Sequence, residues 1–204
     1  MTALNPSLQE GTARSPEVAV LEAVQGAIGT APVISAARGM SHFGEHALGW
    51  VAIGAIGAVV DRPRRRRWAG VAVGAFGAHA ASVVLKRIVR RPRPHAPTVQ
   101  VNVSTPSKLS FPSSHATSTT AAAVLLGNLT GLPLPAVLVP PMLLSRVVLG
   151  VHYPSDVLAG SALGAASAAA LLAAEKRFDS DRTRRERPTG RRGRTGRKGP
   201  AHHE

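Results

Sequence analysis

Among the stretches that carry no Asp, Glu, Lys or Arg, residues 46–60, 68–85, 109–145 and 157–174 stand out between the charged clusters. A bilayer core is crossed by a helix of about 17–25 mainly apolar residues. The runs 68–85 and 157–174 each predict one span. The run 109–145 is too long for a single helix and holds Pro133 and Pro135 in its middle. Proline removes a backbone donor and clashes with the preceding turn, so the run predicts two helices, 114–131 and 135–151. The short run 46–60 reaches spanning length if His42, Phe43 and Gly44 extend it. The expected architecture is therefore an all-α, polytopic transmembrane helical bundle of about five spans. Segment 16–43 mixes Val, Leu and Ile with Glu17, Glu22 and Gln25, which predicts an amphipathic helix lying at the interface. Gly70 with Gly74 and Gly160 with Gly164 repeat at four-residue spacing, which lets helix backbones approach closely in lipid.

The flanks differ from this greasy centre. Of the 25 Lys and Arg residues, 11 fall in 175–204, and others cluster at 62–67 and 86–93, within a net charge of +14. Residues 1–15 and the Arg-, Gly- and Pro-rich tail 175–204 are expected to be disordered, with 44–174 as the membrane domain. Such charge suits an anionic lipid, a phosphorylated substrate or nucleic acid. Nucleic acid is disfavoured, because aromatic residues for base stacking are scarce and Phe178 is the one in the tail. The absence of cysteine from the sequence excludes disulfides, thiolate metal sites and a cysteine nucleophile. No N-terminal segment reads as a signal peptide. Basic short loops favour the cytoplasm, which places loop 62–67 and the tail inside a plasma membrane and loop 86–112 outside. Lys86, Arg87, Arg90, Arg91 and Arg93 then form a basic cluster on the disfavoured side, a placement better explained by a task than by topology.

Three segments at the expected outer helix ends carry chemistry. They are Lys86 with Arg93-Pro94, Pro112-Ser113-Ser114-His115, and Ser145-Arg146 followed by His152 and Asp156. Fixed cations stabilise the charge that develops on a phosphoryl group in its transition state, and Lys86, Arg93 and Arg146 supply three. Free N–H groups where a helix begins at Ser113 and Ser114 add anion affinity. A neutral imidazole can attack phosphorus while a carboxylate such as Asp156 orients its other nitrogen, and a second imidazole can protonate the leaving oxygen.

In order and spacing these segments resemble the signature of the type-2 phosphatidic acid phosphatase superfamily, with Ser114 in a position where that family has glycine. The resemblance covers roughly 44–174. It implies a membrane lipid phosphatase that needs no cofactor or metal, with His152 as the nucleophile, Asp156 orienting it and His115 as general acid. Lys86, Arg93, Ser113, Ser114 and Arg146 would bind the phosphate, Ser114 through its backbone. Glycine matters at that position if φ is positive, and a helix start does not require it. Ser41 to His46 and Ser110 to Ser118 are similar to a narrower actinobacterial group acting on a polyprenyl-linked phosphoribose. That similarity implies removal of a 5-phosphate during synthesis of the cell-wall arabinan donor. Other polyprenyl pyrophosphates, phosphatidic acid and phosphatidylglycerol phosphate remain open as substrates, as does a non-catalytic module that binds a lipid phosphate. Vanadate-dependent peroxidase chemistry, another use of the same pocket, is disfavoured in a membrane.

Some polar residues have plainer readings. Arg87, Arg90 and Arg91 suit contacts with anionic headgroups. His79, inside a span, suits an interhelical hydrogen bond. His42, Glu45 and His46 suit an interfacial cap or headgroup contact in preference to a metal site.

Overall fold

A computed structural model describes residues 15–186, with side chains as far as Arg182. The chain divides into two units, Met1–Leu172 and Ala173–Glu204, and everything concerning the site lies in the first. Its elements are α1 (Pro16–Ile28), α2 (Ala31–Gly44), a 3-10 turn at Glu45–Ala47, α3 (Leu48–Val60), a second turn at Arg62–Arg64, α4 (Arg65–Val89), α5 (Ser114–Thr130), α6 (Leu134–Val148) and α7 (Pro154–Glu186). Among the described residues the pairing between strands is limited to an isolated bridge from Pro92 to Leu109. The fold is all-α, as expected.

The turn chemistry is local. α5 ends at Gly131, whose φ of 77° is the left-handed conformation that glycine adopts without penalty. Pro133 and Pro135 then open α6, which stops before Gly150 at φ 70°. Three stretches have the length and apolarity to cross a membrane: Ala31–Val60, Arg62–Val89 and Pro154–Arg182. α6 is apolar but shorter. Val73, Phe76, Val84 and Ile88 on α4 and Val137 and Leu144 on α6 face outward, an apolar coat suited to lipid.

α5 is the centre of the bundle. Nearly all of it from Ser114 to Ala123 is buried, so its Ser, Thr and Ala surface faces helices on every side. Trp50 donates to Thr119 at 3.1 Å, and the Thr120 and Ser161 hydroxyls lie 2.9 Å apart. Trp50, Val71, Ala75, Leu125, Leu126 and Ala168 pack around the other end of α5. Gly160 and Gly164 let α7 lie against it: a Cβ at Gly160 would meet the Ser113 carbonyl at 2.6 Å, and one at Gly164 the Thr117 carbonyl at 2.2 Å.

Three expectations require correction. Segment 16–43 is not one interfacial helix, because Gly29 and Thr30 divide it. α1 is docked rather than adrift, with Leu21 wholly buried among Val99, Ala116, Val147 and Val157. Gln25 ties it to the Gln100 and Val148 carbonyls at 2.7 and 3.0 Å. The run 46–60 is not extended straight back through His42, since His46 (φ 49°) and Ala47 (φ 62°) are left-handed and break the helix. The expected tail is helical as far as Glu186, where Glu, Lys and Arg are good helix formers. The expected disorder of 1–14 and 187–204 lies outside the described residues.

The close α5–α7 crossing generates a contrast between two glycines. Gly164→Ala is expected to cost about 1–3 kcal/mol by overpacking. Gly77→Ala on α4, where a Cβ meets nothing within 4 Å, should be neutral or mildly stabilising. Unfolding of the purified variants in mixed detergent micelles measures both, and equal stabilities would contradict the crossing.

Candidate active site

The C-terminal ends of α4 and α6 and the N-terminal ends of α5 and α7 meet at one end of the bundle, under loop 90–113 and α2. Between them lies a cavity of about 480 Å³. Lys86, Arg93, Ser114, His115, Arg146 and His152 all face it, so six of the eight expected site residues converge on one hollow. Ser113 and Asp156 stand behind the wall.

Each cation is held by backbone or hydroxyl oxygens. Lys86, in the last turn of α4, donates to the Pro112 carbonyl at 2.6 Å and the Ser110 carbonyl at 3.0 Å. This ties the loop that feeds α5 to α4. Arg93 donates from Nε to the Ser107 carbonyl at 2.8 Å and from Nη1 to the Val151 carbonyl at 2.6 Å. Arg146, 2% exposed, reaches the Ser145 hydroxyl at 3.1 Å, the Ser41 hydroxyl at 3.0 Å and the Ala37 carbonyl at 3.2 Å. Arginine's fixed fork makes such three-way anchoring possible.

The imidazoles have assignable tautomers. Arg93 Nη1 lies 3.2 Å from His152 Nε2. A guanidinium can only donate, so Nε2 carries the lone pair and Nδ1 the proton. Nδ1 points toward Asp156 Oδ2 at 3.7 Å, beyond hydrogen-bond reach, and has no other partner. Oδ2 itself accepts from the Tyr153 N–H at 2.8 Å. His115 Nε2 lies 3.0 Å from the Ser41 carbonyl, an acceptor, so that nitrogen carries a proton. Burial pushes the His152 imidazole down to about 3; the Arg93 and Lys86 cations add to this, and Asp156 opposes it. Burial also lowers Arg93 to about 10, against the pull of Asp156, which leaves it charged at neutral pH.

Ser113 departs from its expected role. Its hydroxyl accepts from Ala116 N–H at 3.4 Å as the N-cap of α5, and its own N–H donates to the Asp156 carbonyl at 3.0 Å. The side chain is therefore committed to capping and to the α5–α7 junction. Ser114 begins the helix without a positive φ, and its hydroxyl accepts from Ser82 of α4 at 2.7 Å. Serine is thus sterically accepted in place of glycine and adds a link between helices.

His42, Glu45, His46 and His79 also face the cavity. His79 makes no interhelical hydrogen bond through Nδ1, which is buried and unpartnered; its ring meets that of His46 edge-on at 5.7 Å. The 42–46 group, expected as an interfacial cap or headgroup contact, takes a place in the cavity wall. Among the described residues no three of His, Asp and Glu gather at metal-ligand spacing. Sequence reasoning missed Ser41, although it opens the run that carried the narrower resemblance. It also assigned Arg91 to headgroups, whereas Arg91 is engaged with Asp156 at 2.9 Å. A lone Arg in a basic cluster gives no local signal of such a partner.

The chain is similar to known proteins. The PAP2 superfamily model matches residues 67–179. The decaprenylphosphoryl-5-phosphoribose phosphatase of Mycobacterium tuberculosis (strain H37Rv) is 61% identical over 150 residues, 73% of this chain and 85% of that protein. Its counterpart in Mycolicibacterium smegmatis is 63% identical over 145 residues, 71% and 81% of the two chains. The crystal structure of a transmembrane PAP2-type phosphatidylglycerolphosphate phosphatase from Bacillus subtilis superposes with a TM-score of 0.60 at 25% identity, covering 80% of this chain and 86% of that one.

The depressed His152 pKa has a consequence for stability. Between about pH 6.5 and 3 the unfolded chain binds a proton at this residue that the native site refuses. Native stability therefore falls as the pH drops through that window and is insensitive to this group above it, by at most about 1.4 kcal/mol per pH unit. Denaturation of the wild type and His152→Asn at pH 7.5 and 5.0 should show the steeper loss in the wild type. Equal losses would contradict the assignment.

Proposed function

The chain belongs to the PAP2 superfamily, and from that premise we propose that it removes the 5-phosphate from decaprenylphosphoryl-5-phosphoribose, as its relatives' names describe. Hydrolysis at this step would serve the making of a cell-wall arabinan donor. The observation that carries the reading is the lone-pair nitrogen of His152, 3.2 Å from the Arg93 guanidinium, on the wall of a cavity that Lys86, His115 and Arg146 share. At about 480 Å³ the hollow is much larger than a phosphate group and has room for a sugar beside it.

In this reading His152 Nε2 attacks the phosphorus atom. An N–P bond forms as the bond from phosphorus to the ribose 5-oxygen breaks, and His115, entering the step as an imidazolium with Nε2–H held on the Ser41 carbonyl, gives its other ring proton to the departing alkoxide and is left neutral. Lys86, Arg93 and Arg146 hold the three equatorial oxygens, an electrostatic task that other phosphoryl-transfer sites give to metal ions. His115, now a base, takes a proton from water as it attacks the phosphohistidine and inorganic phosphate leaves. Asp156 balances the cation that His152 becomes.

Topology follows from the same ends of the helices. α4 runs 25 residues, roughly 37 Å, from the Arg-rich turn at Arg62–Arg64 to the site. With that turn and the C-terminal tail cytoplasmic, as short basic loops favour, the stretch Ala31–Val60 that ends in α3, together with α4 to α7, makes five crossings of a plasma membrane, and the site opens near its outer face.

The test is phosphate release by the purified protein from decaprenylphosphoryl-5-phosphoribose, with phosphatidylglycerol phosphate as the competing substrate. His152→Ala should lose turnover by at least about 10³-fold, on the scale of removing a covalent nucleophile. Acid-labile, alkali-stable radiolabel should appear on the wild type when it is quenched early in turnover. Retained turnover in folded His152→Ala would refute the mechanism, and preference for the glycerolipid would refute the substrate.

A further inference from the structure

Arg91 lies outside the set of cavity-facing cations, and its engagements are all with the back of the site. Its backbone is pinned by the Ser110 N–H, which donates to the Arg91 carbonyl at 2.8 Å. One arm of the guanidinium, Nη1, donates to Asp156 Oδ1 at 2.9 Å and to the Ser155 hydroxyl at 2.6 Å. The other arm, Nη2, pairs with Glu17 in the first turn of α1. The plane stacks on Tyr153, with the guanidinium carbon 4.1 Å from the ring centre. Glu17 closes the circuit by accepting from the Ser155 N–H at 3.1 Å and its hydroxyl at 2.5 Å.

One planar fork thus bridges two carboxylates that are 139 positions apart in the chain (17 and 156), a geometry that arginine can supply and lysine cannot. Burial alone would raise the Glu17 carboxyl, but its bonds to Ser155 and Arg91 outweigh that and hold it below the usual range. Asp156 is completely buried. With Oδ1 fixed on Arg91, Oδ2 is left for the Tyr153 N–H and for His152 Nδ1. Without that clamp the carboxylate could turn about its last torsion and leave the imidazole unaligned.

We propose that Arg91, latched by Glu17, is a positioning residue for this phosphatase: it fixes the Asp156 carboxylate behind His152 and makes the histidine's alignment depend on the docking of α1. The inference rests on reading His152 as the nucleophile.

The test compares purified full-length variants in detergent, acting on decaprenylphosphoryl-5-phosphoribose. Arg91→Gln should lower kcat by about 10- to 100-fold with KM nearly unchanged, since misplacing a reacting group by about 1 Å costs on the order of 10²-fold. Arg91→Lys, which keeps the charge but cannot bridge both carboxylates, should fall between this variant and the wild type. Glu17→Gln should lower kcat in the same sense and add nothing in the double variant with Arg91→Gln. Rapid-quench measurement should show slower phosphohistidine formation with an undiminished number of reactive sites, whereas a merely structural defect would reduce that number. A raised KM at full kcat would make Arg91 a substrate-binding cation and overturn the proposal. If Arg91→Gln does not fold, Glu17→Gln decides: unchanged kcat in that folded variant overturns the latch. His152→Ala in the same series separates the two readings. Full activity there removes the nucleophile assignment, while its loss beside undisturbed Arg91 and Glu17 variants removes this inference alone.

Discussion

The structure depends on keeping positive charge in a place with little water. Lys86 and Arg146 are buried at one end of the bundle, with Arg93 beside them. Burying an ionised group is costly unless it is paired or hydrogen-bonded. Here the compensation comes mostly from dipoles: the carbonyls of Ser110 and Pro112 on Lys86, of Ser107 and Val151 on Arg93, and of Ala37 on Arg146. Carbonyls hold a cation in place without cancelling its charge. The residual positive field is therefore available to an anionic group, and the donors that would meet one are already oriented. The irregular path of loop 90–113 has a physical reason in this arrangement, because it must turn its carbonyls inward onto two side chains from α4 and the segment just after it.

That demand propagates into the packing. The carbonyl acceptors and the imidazoles come from segments far apart in the chain, so their relative positions are fixed by how closely the helices approach. α5 brings Ser114 and His115 to the cavity, and α7 brings Asp156 behind it. Their junction is the bond from Ser113 N–H to the Asp156 carbonyl, reinforced by the contacts that Gly160 and Gly164 permit. In lipid, where helices gain no hydrophobic drive toward one another, such small-residue contacts and hydroxyl bonds carry the association. The glycine stripe is thus part of the site's geometry, one turn removed from the chemistry.

What could be read from the chain divides along the same line. Helix bodies were legible because each is bounded by its own residues: Pro133 and Pro135, Gly131, and the charge-free runs. Lys86, Arg93, His115, Arg146, His152 and Asp156 were legible because their spacing within three short segments matches a pattern. Ser41, Arg91 and Glu17 were not, since each acquires its meaning from a partner more than 60 positions away. Ser113 was placed at the right helix end, but its hydroxyl could not be known to cap its own helix until the turn existed. The break at His46 and Ala47 was hidden for another reason. Alanine does not favour a left-handed backbone, and histidine, although enriched there among non-glycine residues, adopts it too seldom to announce a break, so tertiary packing holds the turn.

The same division runs through the cavity wall. Every cavity-facing cation and imidazole in the motif set lies within 67–179, the stretch matched by the PAP2 superfamily. Another part of the wall comes from Ser41, His42, Glu45 and His46, which precede that stretch. They are carried by the end of α2 and the left-handed turn after it, against the α4 residue His79. That part of the wall is borne on a separate helix. Because Arg146 donates to Ser41 and the Ser41 carbonyl faces His115, the two parts of the wall are not independent. The segment that brings His42, Glu45 and His46 into the wall also steadies Arg146 and the proposed general acid. Changes in that segment reach the chemistry through one serine.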